Sequence, residues 1–203
     1  MASSSLTTSS RIQQQVTDPT PLLPPEGSAS ELGHSPAMTD DCTVEELIEI
    51  AIERGLDAEL GAAQIWAAAT AERDRLPSIP RAEDKLPGIH QALSQTGATL
   101  HIARKATSIV GFYLLVLGPR TNSFEVLYLA TVPQMWGDGI ARALLADIQH
   151  FALERAASLE LWVIADNTRA ITTYTRSGWL QTSDSKVRNA SGKLENRLEL
   201  LPH

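Results

Sequence analysis

A glycine-containing junction in the second half of the sequence most constrains how this chain folds. It reads Trp136-Gly137-Asp138-Gly139-Ile140-Ala141 and joins a β-like run, 124–132, to a helix-like run, 142–155. Short connections that lead from a strand straight into a helix are typical of α/β proteins. The glycines let the backbone turn tightly, and the start of the helix leaves unpaired N–H groups that attract anions. The junction therefore predicts an α/β fold with an anion-binding site at this point.

Two common phosphate-binding loops match the junction poorly. A nucleoside-triphosphate loop ends in Gly-Lys-Ser/Thr, whereas this chain has Gly139-Ile140-Ala141. A dinucleotide fingerprint, GxGxxG, needs a third glycine where Arg142 stands, and an acid that ends the following strand. Asp166 is the nearest acid, but a helical segment rather than a ribose-binding turn follows it. The first loop is excluded, and a dinucleotide-binding oxidoreductase domain is kept as an alternative.

Hydrophobic periodicity predicts the other elements of a mixed α/β domain. Alternating Ile and Glu predict a strand over 48–52, and an apolar stripe predicts a helix with Asp57 as its N-cap that ends near residue 73. A second helical segment, 82–95, contains Pro87, which is expected to break it. The remaining predictions are strands over 99–104, 108–117 (nearly all apolar and so central), 124–132 and 159–164, helices over 142–155 and 167–177, and two final strands that end near residue 200.

Composition sets the limits on domain organisation and partners. Residues 1–42 are rich in Ser, Thr, Pro and Gln, which predicts a disordered tail before a single domain over 43–203. The net charge of −7 argues against nucleic acid or an anionic membrane as a partner. No apolar secretory segment is present, so we expect a cytoplasmic location, with organellar targeting by the Ser/Thr-rich N-terminus as the alternative. The single cysteine cannot form an intramolecular disulfide, and the five histidines are too scattered to support a metal site.

Asn167 and Tyr174 form a second informative pair. They are seven residues apart, and seven residues span about two helical turns, so both side chains lie on one face of the predicted helix. Each also has an ordinary structural explanation, because Asn is a favoured N-cap and a helical aromatic residue is usually part of a core. A phenol with a pKa of about 10 can in addition act as a general acid.

Together these two segments resemble the GNAT N-acetyltransferase superfamily. The family's acetyl-CoA pyrophosphate loop has the pattern Gln/Arg-x-x-Gly-x-Gly/Ala, in which Gly139 and Ala141 match and Trp136 departs from the usual Gln or Arg. Its second segment, Asn-x-x-Ala-x-x-x-Tyr-x-x-x-Gly-Phe, is similar to Asn167 through Trp179. The resemblance implies that Asn167 contacts the pantetheine arm, that Tyr174 protonates the departing thiolate, and that the pyrophosphate binds the residues of the turn: Gly137, Asp138, Gly139, Ile140, Ala141 and Arg142.

The same resemblance assigns a role to the strand before the turn. In the family this strand offers backbone groups to pantetheine as if to a neighbouring strand, and a bulge separates it from the next strand. The positions that correspond here are Leu129, Ala130 and Thr131, where we expect the bulge.

The general base is expected on this strand as well. A protonated amine must lose a proton before it attacks a thioester, and a carboxylate or a chain of waters can accept it. Glu125 lies at a position similar to that of the catalytic Glu in the histone-acetylating branch of the family. Ribosomal-protein acetylases often carry their Glu five residues before the Asn, where this chain has Trp162.

The sequence therefore predicts an acetyl-CoA-dependent N-acetyltransferase that acts on a primary amine by direct attack in a ternary complex, without a metal. The alternative from another class is a non-catalytic acyl-CoA-binding or regulatory module on the same fold. The amine acceptor, which is either a small molecule or a protein amine, cannot be read from the sequence, and a homodimer is left open.

Overall fold

A computed structural model describes residues 47–188 and 192–201 of the chain. The predicted tail, 1–42, and Cys42 lie outside the described residues, as do residues 189–191 between the two final strands. Eleven helices and strands follow in this order: β1 Ile48–Ile52, α1 Leu56–Asp74, α2 Leu86–Leu93, β2 Thr99–Lys105, β3 Ser108–Leu117, β4 Ser123–Thr131, α3 Ile140–Leu153, β5 Ser158–Ile164, α4 Thr168–Arg176, β6 Leu180–Val187 and β7 Leu194–Leu200.

The seven strands form one mixed sheet in the order β1-β2-β3-β4-β5-β7-β6. All neighbouring strands are antiparallel except β4 and β5, which run parallel and are connected through α3. The predicted mixed α/β fold is confirmed, and the apolar strand β3 lies inside the sheet as expected. Parallel neighbours need such a helical crossover, which places the glycine junction at one end of the sheet.

Two helix starts differ from the sequence predictions. Gly55, with φ 103°, is the N-cap of α1, and Asp57 lies in the first turn, where a carboxylate favours the positive end of the helix dipole. The segment 82–95 is a short 3₁₀ helix, Ala82–Asp84, followed by α2. Pro87 lies in the first turn of α2, where a backbone N–H has no acceptor within the helix. Its missing N–H therefore costs no hydrogen bond, and proline starts this helix instead of breaking it.

Helices cover the two faces of the sheet unequally. On one face, α3 and α4 pack over the centre, and their core includes Leu144, Leu145 and Ile148, with Tyr174 packed against it. On the other face, α1 and α2 cover the half of the sheet that contains β2, β3 and the end of β4. We call these the α3 face and the α1 face.

The sheet opens in its middle, between β4 and β5. These strands pair only from Ser123 to Val126, after which β4 pairs with β3 alone and β5 with β7 alone. A bulge in β4 adds Leu127 between the pairs Val126–Leu115 and Tyr128–Leu114. The prediction of a bulge at 129–131 is therefore wrong. The observed bulge lies where β4 leaves β5, because a bulge bends its strand and increases the local twist.

Candidate active site

The turn before α3 presents unpaired backbone donors. Gly137 (φ 108°) and Gly139 (φ 83°) adopt left-handed conformations, and Gly139 caps α3 without a side-chain cap. No side chain lies within 4 Å of the place where Gly137 would carry a Cβ. Within the described part of the chain, no hydrogen bond is made by the N–H groups of Gly137, Gly139, Ile140, Ala141 and Arg142. The turn is therefore an open anion site at a helix N-terminus.

The charged residues of the turn are arranged to admit an anion. Asp138 is exposed to solvent, which reduces the repulsion expected from a carboxylate beside a phosphate. Arg142 is also exposed, and its guanidinium nitrogen lies 3.6 Å from the ideal Cβ position of Gly139. A cation is thus folded back over the turn, close to the free N–H groups.

Trp136, the main departure from the family pattern, ties the turn to its neighbours. Its indole Nε1 donates a hydrogen bond to the Thr131 carbonyl oxygen (3.2 Å). The guanidinium carbon of Arg169, on α4, lies 4.5 Å from the centre of the Trp136 ring. Trp136 therefore fixes the turn to the end of β4 and holds an arginine beside it, in a position where the family usually has a charged or polar side chain.

Gly111 of β3 lets α3 approach the sheet closely, a role that the sequence analysis missed. An ideal Cβ at Gly111 would lie 3.0 Å from Leu144 Cδ1 and 3.2 Å from both Ile140 Cγ2 and Thr131 Cγ2. The glycine thus seats the first turn of α3 on the end of β4. The only sequence signal was a glycine within an otherwise apolar strand, which often marks a close approach.

Asn167 caps α4 through its side chain. Its Oδ1 accepts a hydrogen bond from the Ala170 N–H (3.2 Å). The structural explanation of this residue is therefore correct. The Asn167 side chain can also bind a ligand, because its amide nitrogen has no hydrogen-bond partner among the described residues and can donate.

Tyr174 is suited to donate a proton. Its ring packs on the α3-face core and lies 6.1 Å from the ring of Trp179. The hydroxyl has no hydrogen-bond partner within the described chain, and burial raises the pKa of Tyr174 to about 12. A phenol with this pKa carries its proton at neutral pH.

Glu125 lies on the opposite side of the sheet from Tyr174. Its neighbours Phe124 and Val126 pack on the α3 face, so Glu125 points to the α1 face, one residue before the last β4–β5 pair. Burial raises the pKa of its carboxyl, and the charges of Glu160 and Glu195 act in the same direction, while Lys186 opposes them. A carboxylate with a raised pKa is a better proton acceptor, as a general base requires.

Glu125 lines a cavity of about 280 Å³ on the α1 face. The cavity lies over the half of the sheet that α1 and α2 leave uncovered. Most of its wall was not predicted from the sequence, although the alternating charges of β7 indicate that one face of this strand is polar. The lining residues are Glu125, Val126, Leu127, Trp162, Lys186, Val187, Arg188 and Glu195.

Two further properties concern metals and membranes. Within residues 47–188 and 192–201, no cluster of His, Cys, Asp or Glu could hold a metal ion. No helix in that part of the chain has the length and apolar character needed to span a bilayer.

Comparisons with known proteins agree with this arrangement. Residues 62–179 match the acetyltransferase (GNAT) family. Mycothiol acetyltransferase from Streptomyces griseus is 33% identical over 79 residues, which are 38% of this chain and 26% of that protein. The chain thus spans about a quarter of that curated relative.

Solved structures share the fold. An acetyltransferase from Thermus thermophilus matches with a TM-score of 0.61 and 16% identity over 75% of this chain and 96% of its own. A Bacillus subtilis acetyltransferase in complex with CoA matches with a TM-score of 0.58 and 15% identity over 77% of this chain and 100% of its own. The family match covers more than half of the chain and includes both segments that carry the resemblance. This protein belongs to the acetyltransferase (GNAT) family.

Proposed function

We propose that this protein transfers an acetyl group from acetyl-CoA to a primary amine by direct attack in a ternary complex. One observation carries the proposal: β4 leaves β5 after Val126, and β4 then leads into a turn with five unpaired N–H groups. A slot with free backbone edges that ends at an anion site suits a long ligand with an extended amide arm and a pyrophosphate.

The residues present fit acetyl-CoA as the co-substrate. The backbone of Leu129, Ala130 and Thr131 would pair with the pantetheine arm, and the free amide nitrogen of Asn167 would donate to the same arm. The pyrophosphate would bind the N–H groups from Gly137 to Arg142. The Arg142 side chain would add charge there, while Asp138 stays directed to solvent.

The acid and the base approach the reaction from opposite faces of the sheet. Glu125 would take a proton from the acceptor ammonium, after which the neutral nitrogen attacks the acetyl carbon. An N–C bond forms, the nitrogen gives up its second proton to solvent, the C–S bond breaks, and the sulfur leaves as a thiolate. Tyr174 would donate a proton to that sulfur, because its hydroxyl is protonated at neutral pH and has no competing partner within the described chain.

Two measurements on the full chain test the proposal. Thermal unfolding with acetyl-CoA, with CoA and with NAD should show a higher Tm for the first two only, because a ligand stabilises the state that binds it. A thiol-release assay with acetyl-CoA and a panel of primary amines should then show turnover. A higher Tm without turnover for any amine would identify an acyl-CoA-binding module, and stabilisation by NAD alone would support the oxidoreductase alternative.

A further inference from the structure

Glu195, in the wall of the cavity on the α1 face, has an unmet hydrogen bond. The residue is 2% exposed, and its Oε1 forms an ion pair with Arg188, whose Nε lies 2.7 Å away. Its Oε2 is buried and has no partner among residues 47–188 and 192–201. Buried carboxylate oxygens are rarely left without a donor, since the desolvation cost is then not offset. A ligand in the cavity could supply the missing donor.

The cations of the cavity already have partners. Arg188 is engaged by Glu195, and Lys186 Nζ lies 3.8 Å from the centre of the Trp162 ring. Glu125, in contrast, forms no ion pair within the described chain. The acceptors left without a partner in the cavity are therefore the Glu125 carboxylate and one oxygen of the Glu195 carboxylate. The contact between Lys186 and Trp162 also shows that the aromatic wall accepts an ammonium group.

The size of the cavity limits the ligand. Its volume of about 280 Å³ lies below the range of pockets that hold drug-sized molecules, roughly 300–1,000 Å³. A zwitterionic amino acid would fit by size, but its carboxylate would need a cation that is not already engaged. An amine with a second positive group matches both carboxylates.

We propose that the acceptor is a small diamine or polyamine: one nitrogen reacts beside Glu125, and a second ammonium donates to Glu195 Oε2 in the same cavity. The assignment rests on the proposed acetyl transfer and specifies its acceptor. Lys186 is exposed at the rim, so its side chain can move toward solvent as the ligand ammonium takes its place near Trp162.

The assignment makes Glu195 a specificity residue rather than a catalytic one. A charge-assisted hydrogen bond in a buried site corresponds to roughly a tenfold to hundredfold difference in affinity. We therefore expect 1,4-diaminobutane to have a KM at least about tenfold lower than butan-1-amine, its match in length with one nitrogen. The kcat values should be similar, because the second nitrogen does not react.

The first experiment compares the two amines on the unmodified full chain. Titration calorimetry measures their binding, and the thiol-release assay with acetyl-CoA measures kcat and KM. Tighter binding and a lower KM for the diamine support the assignment. Equal values for the two amines, or a preference for an α-amino acid, overturn it while leaving the acetyl transfer intact. Absence of both acetyl-CoA binding and turnover overturns the proposed function, and this assignment with it.

The second experiment removes the charge of Glu195 but keeps its shape. In Glu195→Gln the KM for the diamine should rise about tenfold or more while that for butan-1-amine changes less than about twofold. Any change in kcat, which would arise from the charge that Glu195 exerts on Glu125, should be the same for both amines. Glu199→Gln is the matched control, since Glu199 lies four residues further along β7 and pairs with Arg120 and Arg197 outside the cavity. An equal rise in KM for both amines in Glu195→Gln would overturn the assignment. If this variant does not fold, the comparison on the unmodified chain still decides.

Discussion

Replacing Gly111 with alanine tests whether close packing of α3 sets the geometry of the anion site. The added methyl would lie 3.0–3.2 Å from side-chain atoms of Leu144, Ile140 and Thr131. These three residues are 0%, 2% and 6% exposed, so none can turn aside into solvent. The expected response is a shift of a few tenths of an ångström of the first turn of α3 away from the sheet.

The size of the effect follows from overpacking and from lost hydrogen bonds. Inserting a methyl into a packed core costs about 1–3 kcal/mol. At the middle of that range, Tm falls by roughly 4–8 °C for a domain of this size. The N–H groups of the turn move with Ile140, the first residue of α3. We expect acetyl-CoA to lose about 1 kcal/mol of binding free energy, a roughly fivefold rise in Kd.

Calorimetric titration with acetyl-CoA and a thermal melt of the same sample measure both effects. Ile89→Val is the control, because Ile89 is fully buried on the α1 face and its truncation costs about 0.5–1.5 kcal/mol without touching α3. The control should lower Tm but leave Kd unchanged. The reasoning is refuted if Gly111→Ala binds acetyl-CoA as tightly as the unmodified chain, or if the control weakens binding equally.

Three other substitutions have defined outcomes. Tyr174→Phe should lower kcat about 10²-fold with little change in the Kd of acetyl-CoA, and an unchanged rate in the thiol-release assay would remove the proposed acid. Glu125 has a raised pKa when folded, so its contribution to stability is present at low pH and lost as the pH rises through that value. In melts, Glu125→Gln should therefore gain stability relative to the unmodified chain as the pH rises above the ordinary carboxyl pKa of about 4.5, and it should lose the acidic limb of the kcat/KM profile. A gain independent of pH would contradict this. Tyr113→Phe should lower the free energy of unfolding by about 1–3 kcal/mol in a denaturant titration. The reason is that the Tyr113 hydroxyl donates to Asp147 Oδ2 (2.6 Å) and lies 2.7 Å from His101 Nδ1. An unchanged free energy of unfolding would show that these partners bind water in the variant.

Local patterns in the sequence were enough to predict the strands and the tight turn before α3. The alternation at Ile48–Ile52 and the apolar run of β3 each carry their own signal, and the glycines of the turn determine its backbone conformation. The spacing of Asn167 and Tyr174 placed both on one helix without any knowledge of the rest of the fold.

The proposed acceptor side of the site could not be predicted in the same way. Glu125 and Glu195 are 70 residues apart in the sequence, and only the strand order brings β4 near β7. The bulge at Leu127 depends on where β5 ends its pairing, which is a property of two strands rather than of one. Gly55 took the cap position from Asp57 because a positive φ, which only glycine adopts readily, was needed there.

The four-pair contact between β4 and β5 divides the sheet into two blocks, β1–β4 and β5–β7–β6. Beyond Val126 each block ends in an edge that lies inside the molecule, where its backbone amides have no strand to protect them. Hydrogen exchange should therefore be fast along this seam in the free protein and slow once a ligand bridges it. A ligand that pairs with both edges, as proposed for acetyl-CoA, would also add to the cooperativity of unfolding, because it would join two blocks that otherwise open separately.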